Sequence, residues 1–368
     1  MGSYRIISSD DHVMEPENLW TSRMEPKYKE RAPQVVSLED GDYWYCDGIR
    51  ILGVQGATQT GQRFEGNENL SFNARFENVR PGAYIPEEHV KDMAIDGVDM
   101  SIVYPTCGLG LYSVPDGVFL STVFQAYNDW IAEYANACPQ QLKGVGMINV
   151  DDVKEGVREL ERCAKMGLVG VMVPVYPPED RAYDSPEYEP LWAASEDLGM
   201  PISLHVITNR GQNLSVDTAK ASYVANLDHW VRMSLADMIF SGVFERHPKL
   251  QVGSVEQESS WIAHFLNRID YTYTQRARKE DWHRYKEDVL PSDYFHRNVF
   301  VGFQEDAIGI RDRHVIGVDN LQWGSDYPHT ESTFPRSCEI LEGILVDCTE
   351  EERAKIVGGN AARVYNLD

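Results

Sequence analysis

Residues 144–206 decide the fold of this chain. They contain GVGMIN (144–149), VKEGVRELERCAKM (153–166), LVGVMVP (168–174), PEYEPLWAASEDL (186–198) and PISLHV (201–206). The first, third and fifth of these segments are short and mostly apolar, as strands buried on both faces are, and the two between them have the amphipathic pattern of surface helices. Strands that alternate with helices predict a parallel sheet with helical crossovers.

The same alternation extends outward in both directions. Five more apolar runs lie at 4–9, 99–104, 250–255, 298–302 and 321–325. Further amphipathic segments lie at 118–137 and 259–278. Eight strand–helix units favour a closed barrel over an open sheet. We therefore predict an α/β protein, a (β/α)8 TIM barrel, and a single domain that spans residues 1–368.

A long interval separates the first two apolar runs. Residues 33–81 are rich in glycine, asparagine and aromatic residues, and DGDYWYCDG (40–48) has the pattern of a hairpin. We interpret 33–81 as a small β-containing insertion on the barrel rim, between the first strand and the first helix. Such an insertion covers an active site or serves packing and subunit contact, and the sequence leaves both alternatives open.

Composition excludes several classes of protein. The chain has 34 basic and 58 acidic residues, a formal net charge of −24, which disfavours binding to nucleic acid or anionic lipid. No apolar run approaches the roughly 18 residues of a membrane span, and the N-terminal sequence lacks the apolar core of a signal peptide. Six cysteines without a CxxC pair indicate reduced thiols. We expect a cytoplasmic protein with neither a nucleic-acid nor a membrane partner.

Three predicted strand ends carry residues of the types that bind metals. Asp10 and His12 end the first strand and face the same way, His205 lies near the end of the fifth, and Asp326 follows the eighth. Singly, these residues have ordinary interpretations as helix caps or hydrogen-bonded core side chains. Together they lie at the mouth of one predicted barrel, and two His with two Asp suit Zn²⁺, Fe²⁺ or Mn²⁺ better than Mg²⁺ or Ca²⁺.

Ordered motifs along the chain resemble those of the amidohydrolase superfamily, in the branch called amidohydrolase family 2. That branch includes aminocarboxymuconate-semialdehyde decarboxylase and resorcylate-type decarboxylases. The motifs are ISSDDHVMEP (7–16), MAIDGVD (93–99), LH (204–205), GVFERHPKL (242–250), GSDYPH (324–329) and GNAAR (359–363).

The resemblance implies that Asp10, His12, His205 and Asp326 are metal ligands, and that Asp326 also transfers protons. One position departs from the family pattern, because Glu256 follows the sixth strand where the characterised decarboxylases carry His. Glu256 is a candidate general base, an extra metal ligand or a structural residue. No lysine ends the fourth strand, so a binuclear centre bridged by carbamylated lysine is not supported.

These residues predict hydrolysis of a small molecule by a metal-activated water, with Asp326, Glu256 and His329 as catalytic groups. The alternative is nonoxidative decarboxylation of a small aromatic or unsaturated carboxylic acid, with Asp326 protonating carbon. Two further classes were weighed. A non-catalytic scaffold conflicts with the complete ligand set, and a nicotinamide oxidoreductase has no GxGxxG support.

We expect zinc as the metal, with manganese or iron as alternatives, and a homodimer, which is common in the family. Other residues are candidates for shaping the pocket or pairing with a substrate carboxylate. The aromatic candidates are Tyr104, Trp20, Trp44 and Trp261, and the basic candidates are Arg50, Arg63, Arg75 and Arg80.

Overall fold

The computed structural model describes residues 4–66, 68, 70–71, 74–212, 220–276, 283–286 and 288–367. The strands are β1 Ile7–Val13, β2 Gln34–Leu38, β3 Gly41–Cys46, β4 Ile49–Gly53, β5 Met100–Pro105, β6 Leu142–Met147, β7 Gly170–Val173, β8 Ile202–His205, β9 Val252–Val255, β10 Val299–Phe303 and β11 Leu321–Trp323.

The helices that surround and connect these strands are α1 Leu19–Arg23, α2 Pro86–Asp96, α3 Cys107–Leu111, α4 Gly117–Ala137, α5 Val153–Lys165, α6 Glu189–Leu198, α7 Ala221–Val224, α8 Asp228–Phe240, α9 Val243–Arg246, α10 Ile262–Tyr271, α11 Pro291–Asn298, α12 Ala307–Arg311, α13 Arg313–Ile316, α14 Ser337–Ile344, α15 Glu350–Ala354 and α16 Asn360–Val364. Among the residues described, no helix has the length and apolarity needed to cross a membrane.

Eight parallel strands form the barrel, in the order β1, β5, β6, β7, β8, β9, β10 and β11. The seam between β1 and β11 is closed beyond the end of β11, where Asp326 N–H donates to Asp10 C=O at 2.7 Å and His12 N–H donates to Tyr327 C=O at 2.5 Å. The predicted (β/α)8 barrel is confirmed. Its eight strands overlap the eight apolar runs, and every residue in them is buried except Lys143 of β6, which is partly exposed.

A separate antiparallel sheet lies between β1 and β5 in the sequence. It consists of β2, β3 and β4, paired in that order. Trp44 of β3 is fully buried and meets Trp20 edge to face, with ring centroids 5.5 Å apart. This contact ties the small sheet to α1 at the side of the barrel.

One helix boundary differs from the expectation. The amphipathic segment 259–278 predicts a single helix, but α10 ends at Tyr271 and a π-helical turn follows at 272–276. The helix buries Ile262, Phe265 and Ile269, whereas no residue of the turn is fully buried, and Tyr273 packs only partly against the core. Residues 277 and 278 lie outside the described part of the chain.

Candidate metal centre

The carboxyl-terminal ends of the barrel strands bring the candidate ligands together. Asp10 and His12 lie on β1, His205 is the last residue of β8, Glu256 directly follows β9, and Asp326 follows β11. Parallel strands that all run the same way place these ends at one rim, which is where TIM-barrel enzymes build their sites. Four strands distant in sequence thus contribute to one cluster.

The candidate ligand atoms lie within a few ångströms of one another. His12 Nε2 lies 3.4 Å from Asp10 Oδ1, 3.3 Å from Asp326 Oδ1 and 3.7 Å from Glu256 Oε2. His205 Nε2 lies 3.5 Å from Asp10 Oδ1 and 3.4 Å from Glu256 Oε2. In each of two overlapping groups, one with Asp10 and His205 and one with Asp326 and His329, the ligand atoms all lie within 4.8 Å of one another.

Four of these atoms are buried and have no hydrogen-bond partner within the described structure: Asp10 Oδ1, His12 Nε2, His205 Nε2 and Glu256 Oε2. Leaving four polar atoms buried and unpaired costs about 1–3 kcal/mol each. A divalent cation at their centre would satisfy all four at once, and two imidazoles with carboxylates are a donor set for Zn²⁺, Mn²⁺ or Fe²⁺. The residues present therefore fit a metal.

Backbone carbonyls set the orientation of both histidines. His12 Nδ1 lies 2.8 Å from Pro105 C=O, and His205 Nδ1 lies 3.3 Å from Val206 C=O. A carbonyl only accepts, so the proton resides on Nδ1 and the lone pair of Nε2 faces the cluster. Outer contacts of this kind orient metal-binding imidazoles.

The backbone is unusual at the two acidic residues that follow strands. Glu256 and Asp326 both have φ 61°, in the left-handed region that non-glycine residues rarely adopt. Such conformations cost about 1–3 kcal/mol and cluster at functional sites. Gly324 allows the close approach between β11 and β1, since a Cβ there would lie 2.6 Å from Asp10 Cβ.

Charge is crowded in the cluster. Burial, and then the charges of Asp326 and Asp10, raise the pKa of Glu256 well above its ordinary value. Burial and Asp10 raise the pKa of Asp326 in the same way. Burial also opposes ionisation of Asp10, but His12 and His205 outweigh it and hold its pKa well below the usual range. These carboxyls repel one another when they are all ionised, and a bound cation would relieve that repulsion.

The pKa values of the three histidines shift in different directions in these surroundings. Burial lowers the pKa of His12 to about 4, and burial likewise lowers the pKa of His329 to about 4. Burial also acts against protonation of His205, but Asp10 and Glu256 raise its pKa in net. His12 and His329 are therefore neutral near pH 7, which is the form in which an imidazole can donate a lone pair.

His329 lies beside the cluster rather than within its centre. Its Nδ1 lies 2.8 Å from Asp326 Oδ1, its Nε2 lies 2.9 Å from Thr106 Oγ1, and its ring stacks near His12 with centroids 4.1 Å apart. The side chain is 14% exposed. Asp326, His329 and Thr106 thus form a hydrogen-bonded row from the cluster toward the barrel mouth.

Two of the four expected pocket-shaping aromatics lie away from the cluster. Trp20 and Trp44 are fully buried in the contact beside α1, and Trp20 Nε1 donates to Val123 C=O. Tyr104 lies deeper in the barrel and supports the imidazoles, with its ring centroid 5.1 Å from that of His205. Trp261 donates to backbone carbonyls just after β9, so of the four it stays a candidate at the rim.

The four candidate arginines all have partners within the protein. Arg63 binds Glu305 and Ser332 C=O, Arg75 binds Asp42 and Arg80 binds Asp92, while the Arg50 guanidinium stacks over the Tyr43 ring at 3.5 Å. None of these contacts belongs to the metal cluster. The expected pairing of one of them with a substrate carboxylate stays a prediction without support from the geometry.

Sequence reasoning missed Thr106 and Pro105. Both come at the end of β5, the second barrel strand, so they share the rim with the ligands. Their position after a barrel strand was the only signal in the sequence, because a threonine or a proline at such a place does not by itself indicate a functional residue.

Comparison with known proteins agrees with the fold. A family model described as amidohydrolase matches residues 75–367, most of the chain. The chain belongs to the amidohydrolase family. The predicted superfamily is therefore confirmed, although β1 and most of the segment 33–81 precede the matched range.

Family relatives include decarboxylases. A 2-amino-3-carboxymuconate-6-semialdehyde decarboxylase from Dictyostelium discoideum is 22% identical over 300 residues, 80% of each chain. An amidohydrolase structure from Mycobacterium avium subsp. paratuberculosis has a TM-score of 0.80 at 21% identity, over 100% of this chain and 99% of that one. A manganese-bound 5-carboxyvanillate decarboxylase from Novosphingobium aromaticivorans has a TM-score of 0.70 at 19% identity, over 99% and 97%.

Proposed function

We propose that this amidohydrolase-family enzyme is a metal-dependent nonoxidative decarboxylase of a small aromatic or unsaturated carboxylic acid. The observation that carries the proposal is the hydrogen-bonded Asp326–His329 pair beside the unpaired ligand atoms, a proton source next to a cation site. The names of the relatives support the same reaction. Of the two activities expected from the sequence, this was the alternative rather than the first choice.

We propose that Asp10, His12, His205 and Asp326 hold the metal. Zinc and manganese both suit these donors, and manganese occurs in a related decarboxylase. When bound, the cation would supply a positive charge that holds the substrate carboxylate and stabilises negative charge developing beside it. This matters because the candidate arginines are occupied within the protein.

The residues of this chain would then supply the proton. In the proposed reaction, the bond between the substrate carbon and its carboxyl carbon breaks, the electron pair stays on the substrate carbon, and CO₂ leaves. The Asp326–His329 pair holds one proton between Oδ1 and Nδ1 and delivers it to that carbon. Thr106 orients His329 from the other side, and the partly exposed His329 edge returns a proton from solvent.

Hydrolysis is the second candidate, and Glu256 is the observation that favours it. Its side chain is 24% exposed, the most open of the clustered acids, and Oε2 points at the two imidazole nitrogens. A carboxylate there can take a proton from an attacking water, and it would repel an anionic substrate. In the decarboxylase proposal, Glu256 instead assists proton transfer at the open side.

The test is a product analysis on the purified protein loaded with Mn²⁺ or Zn²⁺. Carboxyl-labelled hydroxybenzoic acids and 5-carboxyvanillate would be incubated in D₂O. Decarboxylation gives labelled CO₂ and one deuterium on the carbon that lost it. The variants Asp326→Asn and His329→Gln should lose this activity, and His247→Gln, whose imidazole binds Glu189 away from the site, should keep it. Incorporation of ¹⁸O from labelled water, without CO₂ release, would instead establish a hydrolase.

We further propose that the activity belongs to one domain spanning residues 1–368, and that the protein works as a cytoplasmic homodimer on a small-molecule substrate. The family resemblance and the net charge of −24 support this proposal. Sedimentation of the purified protein gives the oligomeric state directly. A monomer at micromolar concentration would contradict the dimer.

A further inference from the structure

Asp326 is a candidate metal ligand whose own backbone is strained, so something must hold it in that conformation. Its φ of 61° persists only if neighbouring contacts over-determine it. One contact is visible on the inner side, where Asp326 N–H donates to Asp10 C=O at 2.7 Å. His329 adds two more, because its N–H donates to Asp326 C=O at 2.9 Å and its Nδ1 lies 2.8 Å from Asp326 Oδ1. A further restraint comes from the next residue, Tyr327, which packs against α2.

Tyr327 is anchored through its backbone and its side chain. Its N–H donates to Asp11 Oδ1 at 3.2 Å, and its C=O accepts from His12 N–H at 2.5 Å. The side chain is 4% exposed, and the ring packs edge-on against His89 and Phe334, with centroids 4.9 and 5.1 Å apart. The hydroxyl donates a short hydrogen bond to Asp92 Oδ2.

Asp92 is itself fixed. It lies on α2 and is 5% exposed, and Arg80 grips it bidentately, with Nε at 2.6 Å from Oδ2 and Nη2 at 2.5 Å from Oδ1. A Cβ at residue 82 would lie 2.2 Å from the Tyr327 hydroxyl and 2.3 Å from Asp92 Oδ2. Glycine at this position therefore leaves the space in which the two side chains meet. A bidentate Arg–carboxylate pair has defined geometry, and here it presents one oxygen to Tyr327.

We propose that Arg80, Asp92 and Tyr327 form a positioning clamp on the outer face of the barrel, which holds Asp326 in its left-handed conformation and so aims its carboxylate into the metal site. The clamp rests on the proposed function only in taking Asp326 to be a metal ligand. It makes α2 and the segment 80–82 part of the site without either touching metal or substrate.

The test compares two Tyr→Phe variants. Tyr327→Phe removes only the hydroxyl and leaves Asp92 paired with Arg80. Tyr188→Phe is the matched control, since Tyr188 is also fully buried and its hydroxyl donates to a backbone carbonyl, that of Arg181, at 2.7 Å. The affinity for Mn²⁺ is measured from the free-ion signal in electron paramagnetic resonance, together with the Tm of each metal-free protein.

We expect Tyr327→Phe to weaken Mn²⁺ binding at least about tenfold while its Tm falls no further than that of Tyr188→Phe, which should bind Mn²⁺ like the parent protein. Unchanged affinity in Tyr327→Phe would overturn the clamp, and so would equal losses in both variants. Asp326→Asn calibrates the assay. Full Mn²⁺ affinity in Asp326→Asn would instead refute the metal assignment, and normal Mn²⁺ behaviour without any decarboxylation would refute the proposed reaction alone.

Discussion

Glu256 and Asp326 share the left-handed backbone but differ in their surroundings. Asp326 is closed in by His329 and the β1 backbone, whereas the Glu256 side chain is 24% exposed. That exposure suits Glu256 to exchanging protons at the open side, in support of the Asp326–His329 pair that delivers the proton to carbon. The two roles have separable consequences.

Glu256→Gln keeps the shape of the side chain and removes its charge. We expect about one metal per chain to remain bound while turnover falls about 100-fold, the usual contribution of a general acid or base. Elemental analysis after gel filtration, with steady-state kinetics, measures both quantities. Glu258→Gln, two residues along, should change neither. Loss of metal from Glu256→Gln would make Glu256 a ligand.

Thr106 is expected to act through His329. Replacing it by Val preserves the shape but leaves Nε2 without its partner at 2.9 Å. Because such a bond is worth about 1 kcal/mol, kcat should fall roughly fivefold with metal content unchanged, and Thr106→Ser should stay within about twofold of the parent. Equal kcat for Val and Ser would show that the hydroxyl does not orient His329.

At the level of elements, the barrel strands and several of the helices between them were predictable, and the side-chain contacts between distant segments were not. Apolar runs indicate burial on both faces, so all eight strands were identified. Strand ends that share a rim place Asp10, His205 and Asp326 near one another, with Asp10 and His205 in one group of ligand atoms and Asp326 in a second group that overlaps it. The partner of a long polar side chain depends instead on which segments meet. Nothing local in the sequence indicates that Arg80 grips Asp92.

Helix α8 carries a carboxyl whose ionisation opposes folding. Burial, and then the charge of Asp184, raise the pKa of Asp237 to about 6. The folded state binds the Asp237 proton more tightly than the unfolded state does. Its contribution to the free energy of unfolding is therefore fully present below the ordinary pKa near 4, and it is lost as the pH rises through about 6.

Asp237→Asn should therefore match the parent protein at about pH 4 and be more stable by about 1–3 kcal/mol at about pH 8, measured by urea unfolding. Asp228→Asn is a control on the same helix. Asp228 pairs with Arg232 at 2.8 Å, so its loss should lower stability slightly at pH 8. A gain for Asp237→Asn that is equal at both pH values would contradict the assignment.

For the whole molecule, metal binding should be coupled to stability. A ligand that binds only the folded chain stabilises it by about 2.7 kcal/mol at a concentration one hundred times Kd. Adding Mn²⁺ or Zn²⁺ to chelator-treated protein should therefore raise Tm by several degrees, as followed by differential scanning calorimetry. The increase should vanish in Asp326→Asn. An equal increase in that variant would place the bound ion elsewhere.

The seam of the barrel has a consequence for biosynthesis. Asp10 and Asp326 meet where the first and last barrel strands join, so the ligand set draws on almost the full length of the chain. A nascent chain emerging from the ribosome holds Asp10 and His12 from the start but cannot complete the set until β11 has been made and has closed against β1. Long-range closures of this kind form late because their loop entropy is large. The complete set of proposed metal ligands is therefore available only after synthesis of the chain has passed β11 and the barrel has closed.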